Sequence, residues 1–238
     1  MIYKKSAADN TLVLGKLLYL MGATWHTKAM FDLDSDEDSF ADILSHMGIE
    51  TYAFDNLPTG HAANIDFAVD LINQFGIDYV MGYSYGCLTA YDVAKQTNIK
   101  GLVFLDPAST PKVKKRRVGD FFLIPKANLD LALTEKNTNV ADNIRIASIN
   151  AFGTKDVLKI PTYPTVVMRN NSNLFGPSIF TKLNVRLFLT SQGTEEAKTW
   201  SPSFTYYPNS SHWIMLESGR YALAHDVVNF IKDIANVS

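Results

Sequence analysis

The chain has 238 residues, a hydrophobic fraction of 47% and a formal net charge of −2, which is typical of one globular domain of ordinary size. The near-neutral charge gives no reason to expect a nucleic acid or an anionic membrane as a partner. Its one cysteine, Cys87, excludes an internal disulfide. The N-terminus lacks the apolar segment of a signal peptide, and no stretch reaches membrane-spanning length, so we expect a cytoplasmic protein.

Apolar runs alternate with helical patterns along the chain, which predicts an α/β fold with a mostly parallel sheet and helices on both faces. The predicted strands are residues 2–4, 11–14, 16–21, 50–54, 77–81, 101–105, 165–168 and 204–207. The predicted helices are residues 39–47, 63–75, 87–96 and 219–235.

One segment interrupts this alternation and is expected to form a small lid over the sheet. It covers residues 107–160 of a single domain that spans residues 1–238. The segment contains a basic run at 112–117, an apolar patch at 121–125 and two helical segments, and it is too long for a simple connection. The basic run is either a solvated face or an electropositive rim for an anionic substrate. The apolar patch belongs either to the lid core or to a substrate contact.

The pentapeptide Gly82-Tyr83-Ser84-Tyr85-Gly86 lies between a predicted strand and a predicted helix. This is the G-x-S-x-G pattern in the strand–turn–helix context that a nucleophile elbow requires. Glycines permit the close chain approach at such a turn, which presents the serine hydroxyl at the end of the sheet. The N-terminus of the following helix favours developing negative charge. We therefore predict that Ser84 is a nucleophile.

A serine nucleophile needs a general base, and one histidine stands in the right place. His46 and His225 lie in predicted helices, where packed or solvated histidines are common. His212 instead follows the last predicted strand through a short polar turn. Because a loop at the carboxyl end of that strand can reach over the sheet towards Ser84, the sequence predicts His212 as the base.

The order of the elbow, the insert and the segment around His212 resembles the α/β-hydrolase superfamily over nearly the whole chain. Residues 19–25 resemble the family's H-G-x loop, with Met21 where histidine is usual. Residues 54–61 resemble the family's D-x-P-G-H-G segment in a diverged form, in which His61 is expected to brace its loop.

The resemblance implies the α/β-hydrolase fold with a small helical lid. It also implies an oxyanion hole formed by the backbone N–H groups of Ala23 and Tyr85. Backbone donors do not depend on side-chain identity, so the methionine at position 21 does not remove them.

The acid of the triad is where the sequence departs from the family's pattern. Residues 164–174 resemble the strand and acid loop of the family, but they place Asn173 at the aspartate position. An amide cannot stabilise an imidazolium as a carboxylate does. Asp106 follows the preceding predicted strand in an L-D-P-A setting similar to that of the acid in pancreatic-type lipases. Asp106 is therefore the first candidate for the acid.

Two further possibilities for the acid stay open. Glu195 or Glu196 takes the role if residues 185–190 form a strand. Alternatively, His212 works without an acid and is only oriented by Asn173.

Together these residues predict a hydrolase of carboxylic esters or thioesters that works through an acyl enzyme, with a small molecule as its substrate. No metal or organic cofactor is expected, because the sequence has no metal-ligand cluster and no phosphate-binding glycine loop. Two alternatives stay open: a ligand-binding receptor or degenerate hydrolase, and a carbon–carbon lyase or hydrolase that uses the same triad. The sequence does not predict the oligomeric state.

Overall fold

The computed structural model describes residues 1–22, 27–32, 38–57, 61–107, 121–125, 157–161, 183–190, 204–210 and 214–237. The strands within these ranges are β1 (Ile2–Lys5), β2 (Gly15–Leu20), β3 (Ile49–Phe54), β4 (Tyr79–Tyr83), β5 (Gly101–Leu105), β6 (Phe121–Pro125), β7 (Val157–Pro161), β8 (Asn184–Thr190) and β9 (Phe204–Tyr207). The helices are α1 (Lys28–Phe31), α2 (Phe40–His46), α3 (His61–Phe75), α4 (Gly86–Ala94) and α5 (Arg220–Val237).

Seven of these strands form one sheet in the order β1-β3-β2-β4-β5-β8-β9. β1 runs antiparallel to β3, and the other neighbours pair in parallel. Alternate residues of β2 enter two different cores. Leu17 packs in a cluster with residues of α2 and α5, whereas Leu18 packs with residues of α3 and α4. Helices therefore cover both faces of a mostly parallel sheet, as the sequence predicts.

The strand before the elbow begins later than predicted, at Tyr79 instead of residue 77. The reason is the end of α3, where Gly76 adopts a φ of +60° and the N–H of Ile77 donates to the carbonyl of Ile72 at 3.1 Å. This is the arrangement that closes a helix through a left-handed glycine. Ile77 therefore belongs to the helix end, and β4 extends to Tyr83, next to Ser84.

The strand predicted at residues 11–14 is wrong, because these residues form no ladder. The side chains of Leu12 and Val13 are 79% and 56% exposed, so their apolar character does not reflect burial. The backbone instead makes a turn, with the N–H of Thr11 donating to Ala8 at 3.1 Å and that of Leu14 donating to Gly48 at 2.8 Å.

The apolar patch of the insert forms strand β6, which pairs antiparallel with β7 in a separate two-stranded sheet. The sequence did not predict this pairing, because the two strands lie far apart along the chain. The basic run at 112–117, the expected lid helices and the strand expected at 165–168 lie outside the described residues. None of the helices that the structure describes is long and apolar enough to cross a membrane.

Candidate active site

Three parallel strands bring the described site residues to one edge of the sheet. Ser84 directly follows β4, Asp106 directly follows β5, and Thr190 ends β8. The N–H of Ser84 donates to the carbonyl of Leu105 at 2.9 Å, and the N–H of Asp106 donates to the carbonyl of Phe188 at 2.9 Å. The ladder thus continues to the first residue beyond each strand. Ser84 and Asp106 therefore stand side by side at the carboxyl ends of neighbouring strands.

Ser84 lies in a sharp turn between β4 and α4. Its φ is +52°, a left-handed value that non-glycine residues seldom adopt. A Cβ on Gly82 would lie 2.6 Å from both the Cα of Cys87 and the carbonyl oxygen of Gly86. A Cβ on Gly86 would collide with the carbonyl of Leu20. The glycines on both sides of the serine are therefore required by close backbone approach, as the elbow pattern predicts.

Asp106 is a buried carboxylate with defined partners. Asp106 is only 2% exposed, and its backbone φ is +41°. Oδ1 accepts a hydrogen bond from the backbone N–H of Thr190 at 2.7 Å, and Oδ2 accepts one from the Thr190 hydroxyl. A carboxylate offers about four acceptor positions, so Thr190 fixes the group without exhausting its acceptor capacity. The arrangement suits an acid that must hold a second donor in place.

The floor beneath these residues is apolar and stays neutral. Tyr83 and Tyr19 are completely buried. Burial, reinforced by the neighbouring Tyr19 and Asp106, raises the pKa of Tyr83 well above its ordinary value. Burial likewise raises the pKa of the Cys87 thiol, whose Sγ lies 3.0 Å from the carbonyl of Gly82. Cys87 therefore serves as a packing residue under the elbow and not as a second nucleophile.

Gly22, just beyond β2, lies against the elbow from the other side. A Cβ there would be 3.3 Å from the Cβ of Ser84 and 3.2 Å from the Tyr83 ring. The carbonyl of Gly22 accepts a hydrogen bond from Nδ2 of Asn56 at 2.9 Å. The loop that follows β2 thus starts directly beside the serine.

Solved structures with the same arrangement of elements include lipases and proteins described as α/β hydrolases. A monoacylglycerol lipase from Paleococcus ferrophilus superimposes with a TM-score of 0.66 at 15% identity, covering 98% of this chain and 99% of that one. MenH from S. aureus gives a TM-score of 0.58 at 12% identity, covering 98% of each chain. An extracellular α/β-hydrolase from a Paenibacillus species gives 0.59 at 14% identity, covering 90% of this chain and 98% of that one. The chain has the α/β-hydrolase fold.

Comparison of the sequence alone finds nothing, since no family model and no curated protein matches it. The structural likeness therefore carries the assignment. At identities this low the likeness shows the fold of the chain and not its chemistry.

In this α/β-hydrolase fold His61 opens α3, and its ring contacts α4. Residues 58–60 of the loop that it is expected to brace lie outside the described residues. Nε2 lies 3.1 Å from Oδ2 of Asp92, Nδ1 lies 3.4 Å from the hydroxyl of Thr89, and the ring meets that of Tyr85 edge-on at 5.7 Å. Burial alone would raise the pKa of Asp92, but hydrogen bonds from His61 and Lys95 hold it below its ordinary value. His61 therefore ties α3 to the helix that follows the elbow.

The structure brings Ser84, Tyr85 and Asp106 together at one edge of the sheet. The other predicted site residues, His212 and Ala23, lie outside the described residues, as do Asn173, Glu195 and Glu196. Glu195 and Glu196 are candidates for the acid on the condition that a strand precedes them. That condition is met, because residues 184–190 form strand β8 between β5 and β9. Within the described ranges no cluster of three or more His, Cys, Asp or Glu side chains is arranged to hold a metal.

Sequence reasoning missed two residues that shape this edge, Thr190 and Asn56. No sequence pattern indicated Thr190, because its hydrogen bonds to Asp106 depend on β8 lying next to β5. Asn56 stands in the segment that resembles D-x-P-G-H-G, but that resemblance does not indicate which backbone group its side chain reaches.

Proposed function

We propose that the protein is a serine hydrolase that acts on a carboxylic ester or thioester through an acyl-enzyme intermediate. The observation that carries the proposal is the position of Ser84. It occupies a left-handed turn between β4 and α4, one strand away from the buried and doubly hydrogen-bonded Asp106. A serine held this way has little conformational freedom to lose on reaction, which is the benefit of a preorganised nucleophile.

In the proposed mechanism Ser84 attacks the substrate carbonyl while His212 accepts its proton and passes it to the leaving group. Asp106 orients His212 and stabilises its protonated form. The N–H groups of Ala23 and Tyr85 stabilise the oxyanion, and Tyr85 is suited to this role because it precedes the first residue of α4. Water then attacks the acyl enzyme and releases the acid. The reaction needs a small-molecule substrate and no cofactor.

Two further observations support a hydrolase. The similar solved structures include proteins described as a monoacylglycerol lipase and a lipase in its open form. The neutral, buried floor of Tyr19 and Tyr83 lies in a region of low dielectric constant, where a nearby carboxylate and developing charges interact more strongly than in water.

Replacement of the proposed nucleophile tests this function. Ser84→Ala is expected to abolish both the hydrolysis of p-nitrophenyl esters and covalent labelling by a fluorophosphonate, with the melting temperature nearly unchanged. Ser45→Ala is the matched control, because it removes a serine hydroxyl from α2 that bonds only the Ser6 carbonyl among the described contacts. This control should label and turn over like the wild type.

Two results would contradict the proposal. Retention of most activity in purified Ser84→Ala would place the chemistry on another residue. A folded wild-type protein that neither labels nor hydrolyses any ester would favour a ligand-binding receptor, and carbon–carbon bond cleavage with intact labelling would favour the lyase.

A further inference from the structure

Three hydrogen bonds form a continuous chain from Leu57, through Asn64 of helix α3 and Asn56, to Gly22 beside the elbow. The N–H of Leu57 donates to Oδ1 of Asn64 at 2.7 Å. Nδ2 of Asn64 donates to Oδ1 of Asn56 at 3.1 Å, and Nδ2 of Asn56 donates to the carbonyl of Gly22 at 2.9 Å. Asn64 is completely buried, so the chain is anchored in the core of the protein.

Only one orientation of the two amides satisfies this chain. A backbone N–H at the Leu57 end can only donate, and a carbonyl at the Gly22 end can only accept. Oδ1 of Asn64 must therefore face Leu57, which turns its Nδ2 towards Asn56. The acceptor of Asn56 is then occupied, and its Nδ2 is the group that meets Gly22. The direction of every bond is thus set by the backbone at both ends.

The Gly22 carbonyl matters because of the peptide bond to which it belongs. A trans peptide is planar, and its N–H points away from its C=O. A donor that fixes the carbonyl of Gly22 therefore also fixes the direction of the N–H on the same peptide bond. That N–H belongs to Ala23, which the proposed mechanism uses as an oxyanion donor. Gly22 itself lies against Ser84, so a small rotation of this peptide changes the donor's distance from the reacting carbonyl.

We propose that Asn56 is a positioning residue of the oxyanion hole, acting through its hydrogen bond to the Gly22 carbonyl. Asn56 touches neither substrate nor nucleophile in this role. It holds the first peptide of the loop after β2, while Asn64 holds Asn56. The inference rests on the proposed hydrolase function. It adds to that function a residue that orients one of the two backbone N–H donors of the oxyanion hole.

The variant Asn56→Asp tests the proposal with an almost isosteric change. A carboxylate still accepts from Nδ2 of Asn64, so the buried part of the chain is preserved. It cannot donate to the Gly22 carbonyl, and its negative charge faces that oxygen instead. We expect kcat per active site to fall about 10- to 100-fold, the range for a misaligned catalytic group. KM should change little, because an oxyanion donor acts mainly in the transition state.

Asn184→Asp is the matched control. It makes the same amide-to-carboxylate change at a residue whose Nδ2 donates to the Lys100 carbonyl at 3.2 Å, at the opposite end of β8 from Thr190. Its kcat and KM should equal those of the wild type. Asn56→Ala, which loses the donor without adding a charge, should lose less kcat than Asn56→Asp and keeps the test valid if the latter does not fold.

The concentration of active sites is titrated with a fluorophosphonate, so that a fraction of misfolded protein does not lower the measured kcat. An unchanged kcat per titrated site in Asn56→Asp, or an equal loss in Asn184→Asp, would overturn the proposal for Asn56. A wild-type protein that does not react at all would instead refute the hydrolase function, so the two failures are distinguishable.

Discussion

Ser84 and Asp106 share an uncommon backbone conformation. Among the described non-glycine residues, positive φ values occur at these two and at Asn10, a residue type that tolerates the left-handed region well. Such conformations cost on the order of 1–3 kcal/mol each unless the surroundings impose them. At both positions the imposing element is the sheet, because each N–H continues the ladder of its neighbour strand. The ladder therefore contributes to the rigidity of the site at both positions.

Close packing around the elbow gives a prediction for Gly86. The new methyl group of Gly86→Ala would meet the backbone carbonyl of Leu20, which cannot rotate away. We expect a loss of about 1–3 kcal/mol or more in the free energy of unfolding, as for other overpacked sites, measured by urea denaturation.

Gly76→Ala is the control for this prediction. It strains a left-handed glycine whose new methyl group meets nothing within 4 Å. The cost at Gly76 is about 1 kcal/mol from backbone strain alone. A larger loss at Gly76 than at Gly86 would mean that the contact with Leu20 is not tight.

At the scale of elements, helix α2 illustrates how local chemistry supports the fold. Ser39 is its N-cap, with its hydroxyl oxygen accepting from the N–H of Asp42 at 3.1 Å and its own N–H donating to Oδ2 of Asp42 at 3.1 Å. This reciprocal pair is a capping box. Asp42 also forms an ion pair with Lys5 of the edge strand β1. One carboxylate thus fixes the start of the helix and its place beside the sheet.

This arrangement predicts pH-dependent stability. Burial tends to raise the pKa of Asp42, but hydrogen bonds from Lys5 and Ser39 hold it below its ordinary value. A depressed pKa adds stability that is present above the unfolded-state value of about 3.9 and is lost as the pH falls through the folded value. Asp42→Asn should therefore lower the free energy of unfolding at pH 7 by on the order of 1 kcal/mol, typical of a helix cap.

The difference between Asp42→Asn and wild type should begin to shrink below about pH 4, where Asp42 of the unfolded chain takes up a proton, and should vanish once the pH has fallen through the lower pKa of the folded state. The control Asp70→Asn removes an exposed carboxylate from α3 and should change stability little at any pH. Urea denaturation across the pH range measures both variants. A difference for Asp42→Asn that stays constant with pH would contradict the assigned role of its charge.

The sequence predicts elements well where a pattern is local. Strands β5 and β9 have the predicted bounds, and helices α2 and α3 end close to the predicted residues, each followed by a left-handed glycine. The errors arise where tertiary context decides. Leu12 and Val13 are apolar but exposed, and the pairing of β6 with β7 joins segments that are distant in sequence. A short window of residues determines neither the burial of its side chains nor its pairing with a distant strand.

At the scale of the whole molecule, the site is a product of strand order. The neighbours β2, β4, β5 and β8 are parallel, so their carboxyl ends lie at one edge and bring together groups from very different parts of the chain. The sequence alone indicated Ser84, because its motif is contiguous. It left the acid open, because the choice depends on which strands flank β5. The fold places β8 there, with Thr190 as the donor to Asp106.

The same strand order makes a prediction about the acid. Strand β8 joins β5 to β9, and Asp106 is the buried carboxylate that directly follows β5, the strand next to the one that ends at Ser84. If Asp106 orients His212, then Asp106→Asn should lower kcat by about 10⁴-fold, as in a triad whose aspartate is replaced in this way. The control Asp78→Asn removes a carboxylate that pairs with Lys100 before β4 starts, and it should leave kcat unchanged.

Three further variants separate the candidates for the acid, each assayed by kcat per fluorophosphonate-titrated site. Glu195→Gln and Glu196→Gln should retain nearly full kcat if Asp106 is the acid. Asn173→Asp should not rescue Asp106→Asn, because β8, and not the predicted strand at 165–168, is the neighbour of β5 in the described sheet. A large loss in either glutamate variant with full activity in Asp106→Asn would move the acid to the loop after β8. Rescue by Asn173→Asp would instead place position 173 beside the base and leave Asp106 with the structural task of holding Thr190.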